Sequence, residues 1–90
     1  MHDLHEANRI LKLVLEYAVK NKLKQVSRIV LNLGEIMEHG VVIEPENLKF
    51  NIQMLARGGM AEKAEIEIRP SKKSGWELTE IVGEEHTNER

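Results

Sequence analysis

The chain has no cysteine, which excludes disulfides, thiol nucleophiles and every thiolate-ligated zinc site at once. It has no apolar run approaching the roughly 20 residues of a membrane span, and its first helical stretch is too charged for the core of a signal peptide. The cytoplasm is therefore the expected compartment. An excess of positive charge is missing too: the formal net charge is -2 with histidine neutral, which argues against non-specific binding to nucleic acid or to an anionic membrane. The local basic run of Lys20, Lys22, Lys24 and Arg28 reads as a solvated helix end and loop. No glycine-rich phosphate loop is present, because Gly58-Gly59 follows a helix instead of preceding one. Ser27 lies in a basic strand start, Ser71 and Ser74 sit in a polar turn with no histidine nearby in sequence, and Glu84-Glu85 and the strand glutamates sit where solvation explains them. A binding protein, not an enzyme, is what these absences leave.

What is there supports one small fold. Ninety residues suffice for a single domain able to bury about 60–65% of its unfolded surface, and 41% apolar with 31% charged residues is a globular composition. Leu4, Ala7, Ile10, Leu11, Val14, Leu15 and Ala18 recur at three- and four-residue spacing, with Glu6, Lys12, Glu16 and Lys20 interleaved on the other side. This predicts an amphipathic helix. Asp3 and Glu6 resemble a capping pair, so the helix is expected to start just after Asp3 and to leave Met1 and His2 outside it. Residues 25–34 alternate as a half-buried strand, with Ile29, Leu31 and Leu33 on one face and Arg28, Val30 and Asn32 on the other.

Glu44-Pro45-Glu46 reads as the start of a second helix with Leu48, Ile52, Leu55 and Ala56 on one face, ended by Gly58-Gly59. Ala64, Ile66 and Ile68 alternate with Glu65, Glu67 and Arg69 as a strand, 70–75 is a turn, and 76–82 is a third strand. The predicted fold is α+β: a single small domain in the order α-β-α-β-β, with a three-stranded mixed sheet and both helices on one face. Strand-helix-strand predicts a parallel pair, and the short loop before Trp76 predicts an antiparallel hairpin. The face carrying Glu65, Glu67, Arg69, Glu77 and Thr79 is expected to be wet. The domain is expected to span residues 1–83, with 84–90 as a disordered tail. There is no internal repeat, linker or low-complexity segment.

Chemistry is left to the four histidines. His39 in a glycine-adjacent loop and His86 in the tail read as solvated. His2 is different, because a histidine at position two can present three nitrogens to one metal: the terminal amine, its own backbone amide and its ring. An amide nitrogen binds only after losing its proton, and Cu(II) and Ni(II) are the ions that drive this near neutral pH while favouring tetragonal nitrogen sites. The fourth position could be the amide of Asp3, its carboxylate, or a side chain from elsewhere, and His5, one turn on, is a geometrically plausible extra ligand. Residues 1–5 could equally be a solvated polar terminus.

These residues resemble the HypA/HybF family of nickel metallochaperones, which help insert nickel into nickel-iron hydrogenase. The family begins Met-His-Glu where this chain has Met1-His2-Asp3, and its Gly-Glu-Leu strand end is similar to LNLGEI over 31–36. Its helix start is similar to IEPENLKF over 43–50, its Arg-Gly-Thr run to RGGMAEKAEIEI over 57–68, and its returning strand to GWELTEI over 75–81. The resemblance implies Ni(II) as exchangeable cargo, with Met1 and His2 as primary ligands, Asp3 as ligand or neighbouring group, and His5 as an added donor.

The resemblance also implies a HypB-like GTPase and a hydrogenase large-subunit precursor as partners. In the family a separate module holds zinc on two Cys-x-x-C pairs. Here only Ser71-Lys72-Lys73-Ser74 stands at its place, so no structural zinc is expected and the turn at 71–74 is expected simply to close a hairpin. Asp3 is one methylene shorter than the family's glutamate, His5 stands where serine is common, and the loop MEHGVV over 37–42, which carries His39, is longer than usual. The alternative reading is a metal-free protein-interaction module on the same scaffold. Homodimerisation through a sheet edge or by exchange of the last strand is compatible with either. A chelate of amine, amide and imidazole implies affinity that falls as pH drops through about 6.5–8.

Overall fold

The computed structural model describes residues 2–34, 37–38, 41–42 and 44–85, with side chains over 5–34 and 44–85. The elements are α1 (His2–Lys20), β1 (Leu23–Leu33), β2 (Met37–Glu38), β3 (Val41–Val42), α2 (Pro45–Leu55), β4 (Glu65–Pro70) and β5 (Trp76–Glu85). The three main strands form one mixed sheet, and both helices pack over its apolar face. The 37–42 stretch, expected as a loop, contains a two-stranded ribbon in which Met37 pairs with Val42 and Glu38 with Val41.

The strand order is β4-β1-β5, with β1 parallel to β4 and antiparallel to β5. The expected β4–β5 hairpin is therefore not formed: the two strands run oppositely but flank β1 on either side. The physical reason is length. β1 has 11 residues and β5 has 10, whereas β4 has six, so pairing the two long strands satisfies more backbone groups than a hairpin with β4 does. Strands on either side of a common neighbour lie about 9–10 Å apart, and a five-residue connection reaches about 16–18 Å. Residues 71–75 cross the end of β1 instead of closing a hairpin.

That crossing explains Gly34. The Ser71 N–H donates to the Leu33 carbonyl at 3.0 Å and the Gly34 N–H donates to the Gly75 carbonyl at 2.8 Å, so the connection is bonded across the last residues of β1. A Cβ at position 34 would lie 1.6 Å from the Lys73 carbonyl oxygen, which leaves room for glycine alone. At the end of α2, Gly58 takes the left-handed conformation (φ 81°) that lets the chain leave the helix.

The core is drawn from each element as the periodicities require. Ala7, Ile10, Leu11, Val14 and Ala18 of α1, Leu48, Ile52 and Ala56 on and just after α2, and Val26, Ile29, Leu31 and Leu33 of β1 are buried together. Val30, expected on the wet face, is only 1% exposed, because it sits at the sheet's centre between the register partners Glu67 and Glu80. Three residues are extra in the β1–β5 ladder, Lys24, Ser27 and Thr79, and the hydroxyls of the last two donate to the Val82 and Val30 carbonyls, both at 3.1 Å. β5 also runs further than predicted, placing Glu84 and Glu85 in the sheet against Gln25 and Leu23, where a disordered tail was expected. Residues 86–90 lie outside the described residues.

On the open face Glu67 accepts from Arg28 and, at 2.7 Å, from the Arg69 Nε. The hydrogen bond from Arg69, then that from Arg28, holds the Glu67 carboxyl below its usual value, and the hydrogen bond to Glu67 raises the Arg69 guanidinium above its own. A depressed folded-state carboxyl stabilises the fold above its unfolded value and loses that contribution as pH falls through the folded one. The stability gap between wild type and E67Q should therefore be present at neutral pH and shrink as the carboxyl protonates below about pH 4.5, read by denaturant unfolding across pH. G34A should destabilise the protein by about 1–3 kcal/mol through displacement of the 71–75 connection, measured in the same way.

Candidate metal centre

α1 begins at His2, not after Asp3, so His2 lies inside the helix. The correction affects the chemistry little, because the first four N–H groups of a helix have no acceptor four residues back. The amides of His2 and Asp3 carry no intrahelical hydrogen bond that deprotonation would break. A cation at this end faces the positive pole of the helix dipole, and each amide nitrogen that binds after losing its proton offsets one unit of the metal's charge. Position 2 precedes His5 by three residues and Glu6 by four, the two spacings that make helix neighbours. Met1 lies outside the described residues, as do His39 and the tail histidine, His86. The side chains of His2 and Asp3 are likewise outside, so of the predicted set Met1, His2, Asp3 and His5 only the His5 side chain is described. His5 has an exposed side chain. Among the described residues no three His, Asp or Glu side chains gather into a metal-holding group.

Glu6 is the residue that sequence reasoning misplaced. Expected on the solvated side as a capping partner, it is 6% exposed and the one charged residue buried among those described. Its Oε1 accepts from the indole Nε1 of Trp76 at 2.8 Å, and its Oε2 lies 3.6 Å from Arg9 Nη1. The signal was in the spacing: Glu6 stands four residues before Ile10, which stands four before Val14 and eight before Ala18, so it continues the buried row of α1. Trp76, the only tryptophan, opens β5 and lies along α1 beside Arg9, Lys12, Leu13 and Glu16.

The remaining surface offers weaker alternatives. A cleft of about 470 Å³ runs between Pro45, Glu46 and Lys49 of α2 and the Arg28–Glu67 pair, lined by three carboxylates, Glu46, Glu65 and Glu67, and two cations, Arg28 and Lys49. No helix among the described residues is long and apolar enough to cross a membrane.

Residues 1–76, which include the terminus, the crossing connection and Trp76, match the family model described as HypA, hydrogenase/urease nickel incorporation, metallochaperone. The chain belongs to the HypA family. Hydrogenase maturation factor HypA of Legionella pneumophila strain Lens is 31% identical over 68 residues, covering 76% of this chain and 57% of the relative. The factor of the same description from Dechloromonas aromatica is 30% identical over 76 residues, 84% of this chain and 64% of the relative, and that of Archaeoglobus fulgidus is 32% identical over 68 residues, 76% and 58%. This chain thus spans 57–64% of the length of these curated relatives. The solution structure of the Ni metallochaperone HypA from Helicobacter pylori superposes with a TM-score of 0.76 at 11% identity, over 93% of this chain and 98% of that one. The HypA fold is therefore shared at a level of identity where side-chain correspondence has faded.

His5 has an exposed side chain that makes no hydrogen bond to another described side chain. H5A should leave the unfolding free energy within about 0.5 kcal/mol of wild type, measured by urea titration, so that any loss of metal binding in that variant reports on ligation alone.

Proposed function

We propose that this HypA-family chain delivers nickel in the maturation of a nickel enzyme, a hydrogenase foremost, and binds Ni(II) at its N-terminus. The observation that carries the reading is the family match over residues 1–76, which takes in Met1-His2-Asp3. The amine of Met1 and the amide and imidazole of His2 supply three nitrogens in fused chelate rings, and Asp3 or His5 completes or flanks the set. The start of α1 at His2 supports this, because the amides involved hold no helical hydrogen bond.

The chemistry asked of the chain is binding and release, not bond making. A terminal, exposed chelate exchanges its metal readily, as delivery demands, and its affinity depends on three deprotonations. The partners proposed are a HypB-like GTPase, from which or with which nickel is passed, and the hydrogenase large-subunit precursor that receives it. The sequence holds no cysteine, and residues 71–75 cross from β4 to β5 directly. We propose that nickel binding proceeds here without a cysteine-held zinc.

Calorimetric titration of untagged protein with Ni(II) at pH 7.5 should give one tight site, lost in H2A and lost again when one residue is added ahead of Met1. Equal binding in all three would place the metal elsewhere. Absent binding in wild type would favour a scaffold retained only for protein contacts.

A further inference from the structure

We propose that Trp76 is a positioning residue for the N-terminal metal site, acting through its hydrogen bond to the buried carboxylate of Glu6; the inference rests on the nickel reading above. The start of a helix is among its least secure parts, because the N–H groups of the first turn have no intrahelical acceptor and helix ends fray. In α1 the first described buried side chain is Glu6, four residues and about 6 Å of helix rise beyond His2. A carboxylate is a costly group to place there, and it stays only where donors meet it. One partner is the charged end of Arg9, an ion pair at 3.6 Å on a side chain 60% exposed. The other is the Trp76 indole at 2.8 Å.

Trp76 is suited to hold this end of α1 because its own backbone is fixed. It pairs with Leu33 at the end of β1, and the carbonyl of its neighbour Gly75 accepts the Gly34 N–H. The ring packs against the core and along α1. The hydrogen bond thus ties the sheet, 70 residues away in sequence, to the helix turn that directly follows the terminus. None of these groups touches the metal in the proposed site. Their effect is to keep the His2 amide and ring, and His5, in a single arrangement before nickel arrives, so that binding does not have to order the turn.

The test compares wild type, W76F, E6Q and E6A for Ni(II) affinity by calorimetry and for amide hydrogen exchange along α1. Phenylalanine keeps the ring but removes the N–H, glutamine keeps an oxygen acceptor, and alanine removes it. Positioning predicts about tenfold or greater weakening of nickel binding in W76F and E6A, with faster exchange confined to the first two turns of α1, and E6Q within about threefold of wild type. Should W76F fail to fold, the E6Q and E6A pair carries the same comparison. Nickel affinity in W76F or E6A equal to wild type overturns the role, and an E6Q as weak as W76F overturns it in favour of a simple charge effect. A wild type that binds no nickel overturns the underlying reading and this role together, whereas a wild type that binds as well as its variants overturns this role alone.

Discussion

Everything in this molecule is arranged around β1, a strand that must be paired on both edges and covered on its apolar face. Its Val26, Ile29 and Leu31 side chains are fully buried, and no other element contributes to the core without meeting it directly or through a neighbour. Pairing β1 with β4 in parallel requires a crossover, and α2 is that crossover, packed on α1 above the sheet. Pairing it with β5 on the other side then forces residues 71–75 to cross the strand end, and the crossing forces a residue without Cβ at position 34. The glycine that resembles a family motif in sequence is thus a steric requirement of the topology.

The same topology changes how the 71–75 connection should be pictured. In a β4–β5 hairpin, residues 71–75 would be a surface turn of no consequence to the rest. As a connection across β1, they are bonded to Leu33 and Gly34 and set the start of β5, where Trp76 meets Glu6. A short connection is long enough, since five residues exceed the distance between the flanking strands. Whatever occupies this place in the chain therefore adjoins the strand end that holds the first turns of α1.

Much of this was legible in the residues. The amphipathic spacing of α1, the Pro45 start of α2 and the alternation of β1 and β4 each give the right element, because each is driven by local periodicity and burial. The partner of β5 was not legible, because a short loop favours a hairpin locally and only the lengths of the competing ladders decide against it. Bulges at Ser27 and Thr79 add register shifts that alternation alone cannot express. Glu6 was misread because a carboxylate near a helix start usually caps it, and only the distant indole makes its burial tolerable. The candidate ligands Met1, His2, Asp3 and His5 came from the terminus and the resemblance, and the helix start at His2 bears on their amides.

A chelate built on a terminus asks little of a fold beyond presentation. The scaffold supplies a helix whose leading amides have no intrahelical acceptor and whose first buried side chain among those described is tied to the sheet. In the function proposed above, delivery depends on exchange of the metal at this end of α1. The most direct measurement is nickel K-edge X-ray absorption on the untagged protein loaded with one equivalent of Ni(II) at pH 7.5. The account predicts a nitrogen-dominated first shell of tetragonal geometry. A six-coordinate oxygen shell like that of the solvated ion would contradict it.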